Sequence, residues 1–164
     1  MSNLVAQPVA DALAPWGGDV LAAAIDPTLA DTAAFCDTYD VAMQDSANCV
    51  VIAGRRGDTT RYAACVVLAT TRADVNGVVR RRLEARKASF APMADAVQLS
   101  GMEYGGITPI GLPADWPILV DAAVAAAPVA VIGSGIRGSK LWLPGAALAG
   151  LPGAEVLDGL GVPR

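Results

Sequence analysis

The 164-residue chain contains no histidine. That removes the commonest general base, the commonest metal ligand and every Ser-His or Cys-His pairing. Cysteine is scarce as well. Cys36, Cys49 and Cys65 are scattered through the first half without CxxC spacing, and a zinc site lacking histidine would need more thiolates than the chain holds. No metal and no cofactor is expected. The odd, unpatterned cysteine set suits a reducing compartment, with Cys36 and Cys65 as small buried hydrophobes. Long apolar runs are also missing: the longest, near residues 122–132, is interrupted by Pro128 and is too short to span a bilayer. The opening MSNLVAQPVADALAP has neither a positively charged start nor a long apolar stretch, so no secretory signal is read and a cytoplasmic protein with no membrane partner is expected.

Basic residues are absent from residues 1–54, which carry seven Asp, whereas residues 55–87 hold nine Arg or Lys against three acids. The net charge of −4 therefore hides a basic island in the middle third. Its densest part is Arg80, Arg81, Arg82, Arg86 and Lys87. If Asp74 caps a helix through about Leu83, then Val75, Val78, Val79 and Leu83 share its inner face and the arginines crowd its C-terminal end. Two compatible readings stand: cations complementing a helix dipole, and a patch for a phosphate backbone.

The length fits one domain over residues 1–164. Asp26-Pro27 reads as an N-cap followed by proline, opening a helix through about Tyr39 with Leu29, Ala33 and Cys36 inward. NCVVIA (48–53) and YAACVVLAT (62–70) read as central strands joined by the hairpin loop GRRGDTTR. Further strands are expected at 88–90, 116–121, 129–132 and 140–143, with helical turns at 93–99, 122–127 and 144–148. Strands and helices alternate without regular βαβ spacing, which argues for an α+β sheet or partly closed barrel with flanking helices.

The stretch GMEYGGITPIGLP (101–113), the apolar PILVD ending at Asp121, and GSGIRG (133–138) place two glycine-dense loops around one strand. Glycines at this density leave backbone N–H groups open to a ligand's oxygen, so the site is expected to be built largely from main chain. GSGIRG is not a dinucleotide fingerprint, because its spacing is not GxGxxG and no long helix follows. Candidate pocket residues are Gly105, Gly106, Thr108, Pro109, Ser134, Gly135 and Arg137. Thr108 and Ser134 either line a pocket or serve their own turns. Asp121 either acts there or caps the next turn. Arg137 meets an RNA phosphate or a nearby carboxylate. Cys49 should alternate away from Asn48 into the core, leaving no nucleophile.

The ordered set of KASFA (87–91), GMEYGGITPIGLP, PILVD, GSGIRGSKLWL and PGAALAGL, with SANCVVI (46–52) upstream, resembles the YbaK/EbsC family, related to the editing domain of bacterial prolyl-tRNA synthetases. The resemblance is strongest over residues 30–150. It implies a mixed α+β fold and hydrolysis of the ester between a wrong, small amino acid and tRNA, often the proline tRNA. It also implies that Gly105, the first glycine of the GxxxP loop, offers its N–H to the developing oxyanion. The tRNA would be the partner, bound through Arg80, Arg81, Arg82, Arg86 and Lys87 by a monomer or homodimer.

The chain departs from the family at two positions. Many members carry lysine at the start of the first core strand, where this chain has Asn48, which hydrogen bonds but brings no cation. Conversely, Lys140 stands where members often have a carboxylate or small polar residue. If both face one pocket, Lys140 supplies the missing charge from the opposite wall; otherwise it is a surface lysine on an edge strand. The alternative function is a family member that binds aminoacyl-tRNA or a nucleotide without turnover. A hydrolase of small-molecule esters is a third.

Overall fold

The computed structural model describes residues 4–16 and 18–164. In chain order the strands are β1 (Leu21–Ala24), β2 (Ala47–Arg56), β3 (Thr59–Leu68), β4 (Thr71–Ala73), β5 (Lys87–Phe90), β6 (Ile118–Asp121), β7 (Ala130–Gly133), β8 (Ser139–Leu143), β9 (Ala154–Leu157) and β10 (Gly161–Pro163). The helices are α1 (Gln7–Leu13), α2 (Thr32–Tyr39), α3 (Arg80–Arg82), α4 (Met93–Ser100), α5 (Ala122–Ala125) and α6 (Gly145–Ala149).

The expected hairpin is present and longer than its apolar stretches. β2 and β3 pair antiparallel from Ala47 opposite Leu68 to Arg56 opposite Thr59, so the foreseen eight-residue loop shrinks to a turn at Gly57 and Asp58. Ala63, Ala64, Cys65 and Val66 are fully buried, which requires cover on both faces of β3 and explains their small or β-branched side chains. The arginines and threonines near the turn continue the ladder out into solvent.

The hairpin is the centre of a five-stranded sheet in the order β5-β2-β3-β6-β9. β5 runs antiparallel to β2, whereas β6 and β9 run parallel to β3 and to each other. A three-stranded antiparallel sheet, β1-β8-β7, and a β10-β4 pair complete the architecture. A single parallel bridge between Ser46 and Val131 links the two larger sheets, which do not close into a barrel. One apolar cluster joins them: Val66 and Val120 from the large sheet with Ile132 and Leu141 from the small one, Leu148 from α6 and Val9 from α1. Each such fully buried side chain contributes about 1.5–3 kcal/mol, so packing rather than the lone bridge holds the sheets together.

The structure differs from expectation in several elements. The helix foreseen over 26–39 is split into a 3₁₀ turn, Pro27–Leu29, capped by the Asp26 carboxylate, and α2, which starts afresh after Asp31. Phe35 and Cys36 point into the core, while Ala33 is exposed. Asp74 does cap the next segment, accepting from the N–H groups of Gly77 and Val78 at 3.2 Å. That segment is a π-helical turn, Val75–Val79, running into α3, with Val79 and Leu83 buried beneath it. α1, β1, β4, β9 and β10 were not foreseen. They are short, and the periodicity of three to seven residues is a weak signal before packing is known.

Candidate active site

The site begins as a gap in a sheet edge. Val51 and Arg55 turn their carbonyls to the β5 side of β2, accepting from Ala91 and Arg86 at 2.9 Å, so the odd-numbered residues of β2 face that side. β5 pairs only with residues 52–55, and at the other end the Ser46–Val131 bridge brings in β7. Between these two partners Cys49 directs its N–H and C=O at no strand. A cavity of about 340 Å³ opens there, bordered by Ala47, Asn48, Cys49 and Val50, by Phe90 and Ala91, by Tyr104, Gly105 and Ile107, by Gly133 and Lys140, and by Ala30, Asp31 and Thr32. The break before α2 is what brings the last three to the rim.

The two glycine-dense loops meet at this cavity and are bonded to each other. The Gly135 N–H donates to the Gly106 carbonyl at 2.7 Å, the Glu103 N–H to the Gly135 carbonyl at 2.9 Å, and the Arg137 N–H to the Glu103 carboxylate at 2.8 Å. Gly106 permits this closeness, because a Cβ there would stand 2.6 Å from the Ile136 backbone. Gly105 adopts φ +87°, a conformation natural to glycine, and its N–H donates to no protein acceptor among the described residues. The Arg137 side chain ties the loops to the segment before α2: it donates to the Tyr104 carbonyl at 3.4 Å and the Pro27 carbonyl at 3.3 Å, and lies 3.9 Å from Asp31.

Lys140 is in the central strand of the small sheet, paired with Gly133 and Ala23, and is only 8% exposed. It is therefore not a surface lysine on an edge. Its Nζ lies 5.1 Å from the centre of the Phe35 ring, and no hydrogen bond or ion pair to it is present among the described residues. Burial pushes its ammonium below the usual lysine range, with Arg137 acting the same way and the Cys36 sulfur and Asp31 opposing. Across the cavity, the Asn48 carbonyl oxygen accepts from the Thr32 hydroxyl at 2.7 Å, which leaves the amide NH₂ for a ligand. Burial, reinforced by Cys65, pushes the Cys49 thiol far up, so it holds its proton at neutral pH.

A gap in a sheet edge, a left-handed glycine whose N–H meets no acceptor among the described residues and a buried cation border one cavity, with Asp31 at its rim. Residues 26–151 match the model of the aminoacyl-tRNA editing domain. The chain belongs to that family. It is an aminoacyl-tRNA deacylase, a hydrolase acting on an ester bond. Solved structures share its fold: a candidate trans-editing enzyme for prolyl tRNA synthetase aligns with a TM-score of 0.78 at 20% identity, covering 93% of this chain and 94% of the other. Hypothetical protein APE2540 aligns with a TM-score of 0.83 at 18% identity, covering 95% and 100%. A search of curated protein sequences returns no match.

Not every residue singled out in the sequence reaches the cavity of this editing domain. Gly105, Asn48 and Lys140 border it together. Gly106 and Gly135 are one layer behind, bonded to each other. Ser134 is buried and serves its own loop, its hydroxyl 3.2 Å from the Ile136 and Ser139 carbonyls. Thr108 is fully buried with its hydroxyl unpartnered among the described residues, and Pro109 lines a separate apolar hollow beside Trp16 and Leu112. Asp121 faces the β10-β4 pair, where a side chain at Gly161 would meet its Oδ2 at 2.8 Å, and it makes no cap bond to α5. In the basic island, Arg82 is turned to Glu155 on β9, its Nε 2.8 Å from one carboxylate oxygen. Arg80 donates to the Asn76 carbonyl, while Arg81, Arg86 and Lys87 are exposed. Asp31, Thr32, Phe90 and Tyr104 were missed as site residues, since only the chain's path past the β2 edge brings them there.

Proposed function

We propose that this editing domain acts in trans on a mischarged small amino acid, of the alanine, cysteine or serine class, esterified to the proline tRNA. The observation that carries the reading is that Gly105, Asn48 and the buried Lys140 border one small cavity. Its other borders include Ala30, Ala47, Ala91, Ala96 and Gly133, which suits a short side chain. Pocket size alone discriminates modestly, by about 10–200-fold per methylene.

In this reading water adds to the ester carbonyl carbon, the bond to the ribose oxygen breaks, and free amino acid and tRNA with its terminal hydroxyl are released. Charge develops on the carbonyl oxygen, and a preorganised N–H and a desolvated cation act most strongly there. Lys140 takes over from the opposite wall the charge that relatives place at the Asn48 position. Asp31, the one carboxylate bordering the cavity among the described residues, faces the substrate's α-ammonium. Arg80, Arg81, Arg86 and Lys87 hold the acceptor stem.

The test is hydrolysis of alanyl-, cysteinyl-, seryl- and prolyl-tRNA for proline by the wild type and Lys140→Met. Loss of one non-cognate ester faster than the spontaneous rate, abolished in Lys140→Met, is the expected result. No acceleration on any of these esters would overturn the reading of a small amino acid on the proline tRNA.

A further inference from the structure

We propose that Phe90 and Tyr104 form a stacking subsite for the unpaired bases at the 3′ end of the tRNA, beside the cavity that takes the aminoacyl ester. The chain has only eight aromatic residues. Six have packing partners: Phe35 contacts Tyr39 and Trp142, Tyr62 stacks on Trp116, and Trp16 lies against the main core. The remaining two, Phe90 and Tyr104, are 63% and 58% exposed and contact no other aromatic ring among the described residues. Both border the same cavity, Phe90 from the end of β5 and Tyr104 from the residue before Gly105.

The surrounding charge favours a nucleic acid as occupant over an apolar partner. β5 is an edge strand running from Lys87 to Phe90, so a cation and an exposed ring stand at its two ends, on alternate faces of the sheet. Lys87 stands directly opposite Arg55 on β2, a like-charged cross-strand pair that costs stability unless an anion lies over it. Cations interleaved with exposed rings are the general means of holding single-stranded nucleic acid, phosphates on the cations and bases on the rings. A nucleotide chain crossing Arg55 and Lys87 and passing around the β5 edge would reach the two rings before its last ribose meets the cavity.

This inference rests on the reading of the substrate as an aminoacyl-tRNA, and a binding test separates the two. Unacylated proline tRNA, intact or lacking its terminal CCA, is titrated against wild type and against the Phe90→Ala/Tyr104→Ala double variant, with thermal melting as the folding control. Wild type is expected to bind intact tRNA about tenfold more tightly than truncated tRNA, a preference the double variant loses while keeping its residual affinity. Phe90→Trp with Tyr104→Phe should retain the preference. That pattern supports the stacking subsite even if no ester is hydrolysed. No preference in wild type, or one that survives the double alanine variant, overturns it even if hydrolysis is brisk. Loss of self-association in the double variant with tRNA binding unchanged would also overturn it and mark a protein interface.

Discussion

The guanidinium of Arg137 lies over Gly105 and fills the space that a side chain at position 105 would need. The same group bonds the Tyr104 carbonyl, so Gly105 is held from above and from its own preceding residue. Gly105→Ala therefore suffers twice, from φ +87° and from collision with Arg137. It is expected to lose about 2 kcal/mol of stability together with most of its turnover. Because part of that loss is the collision, Gly105→Ala should cost less in an Arg137→Ala background than in wild type. Urea unfolding of the four proteins measures the coupling, and strictly additive losses would show that the two residues do not share this space.

Lys140 carries a stability cost. Its side chain is buried without a bonded carboxylate among the described residues, and the Phe35 ring offsets only part of the desolvation. Lys140→Met should be more stable than wild type at pH 7, by about 1 kcal/mol, while losing deacylation. The sign of the pH dependence follows from the lowered pKa. Between the folded value and the ordinary 10.5, the unfolded chain holds the proton that the folded chain has released, so wild-type stability rises with pH across that window. The advantage of the methionine variant should thus be complete below the folded pKa and shrink toward pH 10.5. Urea midpoints at pH 7 and near pH 10 test this. A methionine variant weaker than wild type at pH 7 would reveal a partner that repays the burial.

Within the basic island, the arginines divide by partner. Arg82 is engaged by Glu155, so Arg82→Ala should cost up to about 1 kcal/mol of stability. It should leave tRNA affinity within about twofold of wild type, since a guanidinium already neutralised adds little to phosphate attraction. Arg81→Ala and Arg86→Ala should do the reverse, leaving stability unchanged and each lowering the slope of log affinity against log salt by about one. Filter binding across a salt series distinguishes the groups, and an Arg82 slope change equal to that of Arg81 would return Arg82 to the interface.

Much of this site could be read from residue order because the signals are local. Alternating Val, Ile, Ala and Cys around a Gly-Asp turn specify a buried hairpin, and Asp74 before a valine-lined turn specifies a capped segment. Short elements were hidden for the same reason. β1 is Leu followed by three alanines, and nothing in that pattern separates strand from helix until β8 pairs with it. The single helix expected over 26–39 failed because Asp31-Thr32 offers a second residue pair of the start type, although only Asp26 caps through its carboxylate.

By itself, the sequence determined the chemistry available: no imidazole, no metal-binding cysteine pattern, glycine loops that expose main-chain donors, and a basic middle third. Those are properties of residue types and their spacing, which do not depend on how the chain folds back on itself. Only the tertiary structure decided which of them meet. β5 stops short on β2, β7 bridges to Ser46 just before it, and the cavity exists because neither covers Cys49. Lys140 became a buried cation facing Asn48, and Asp121 was turned away toward β10, through strand pairings between residues far apart in the chain. Such pairings are set by which faces bury together, a property of the assembled core and not of any one segment.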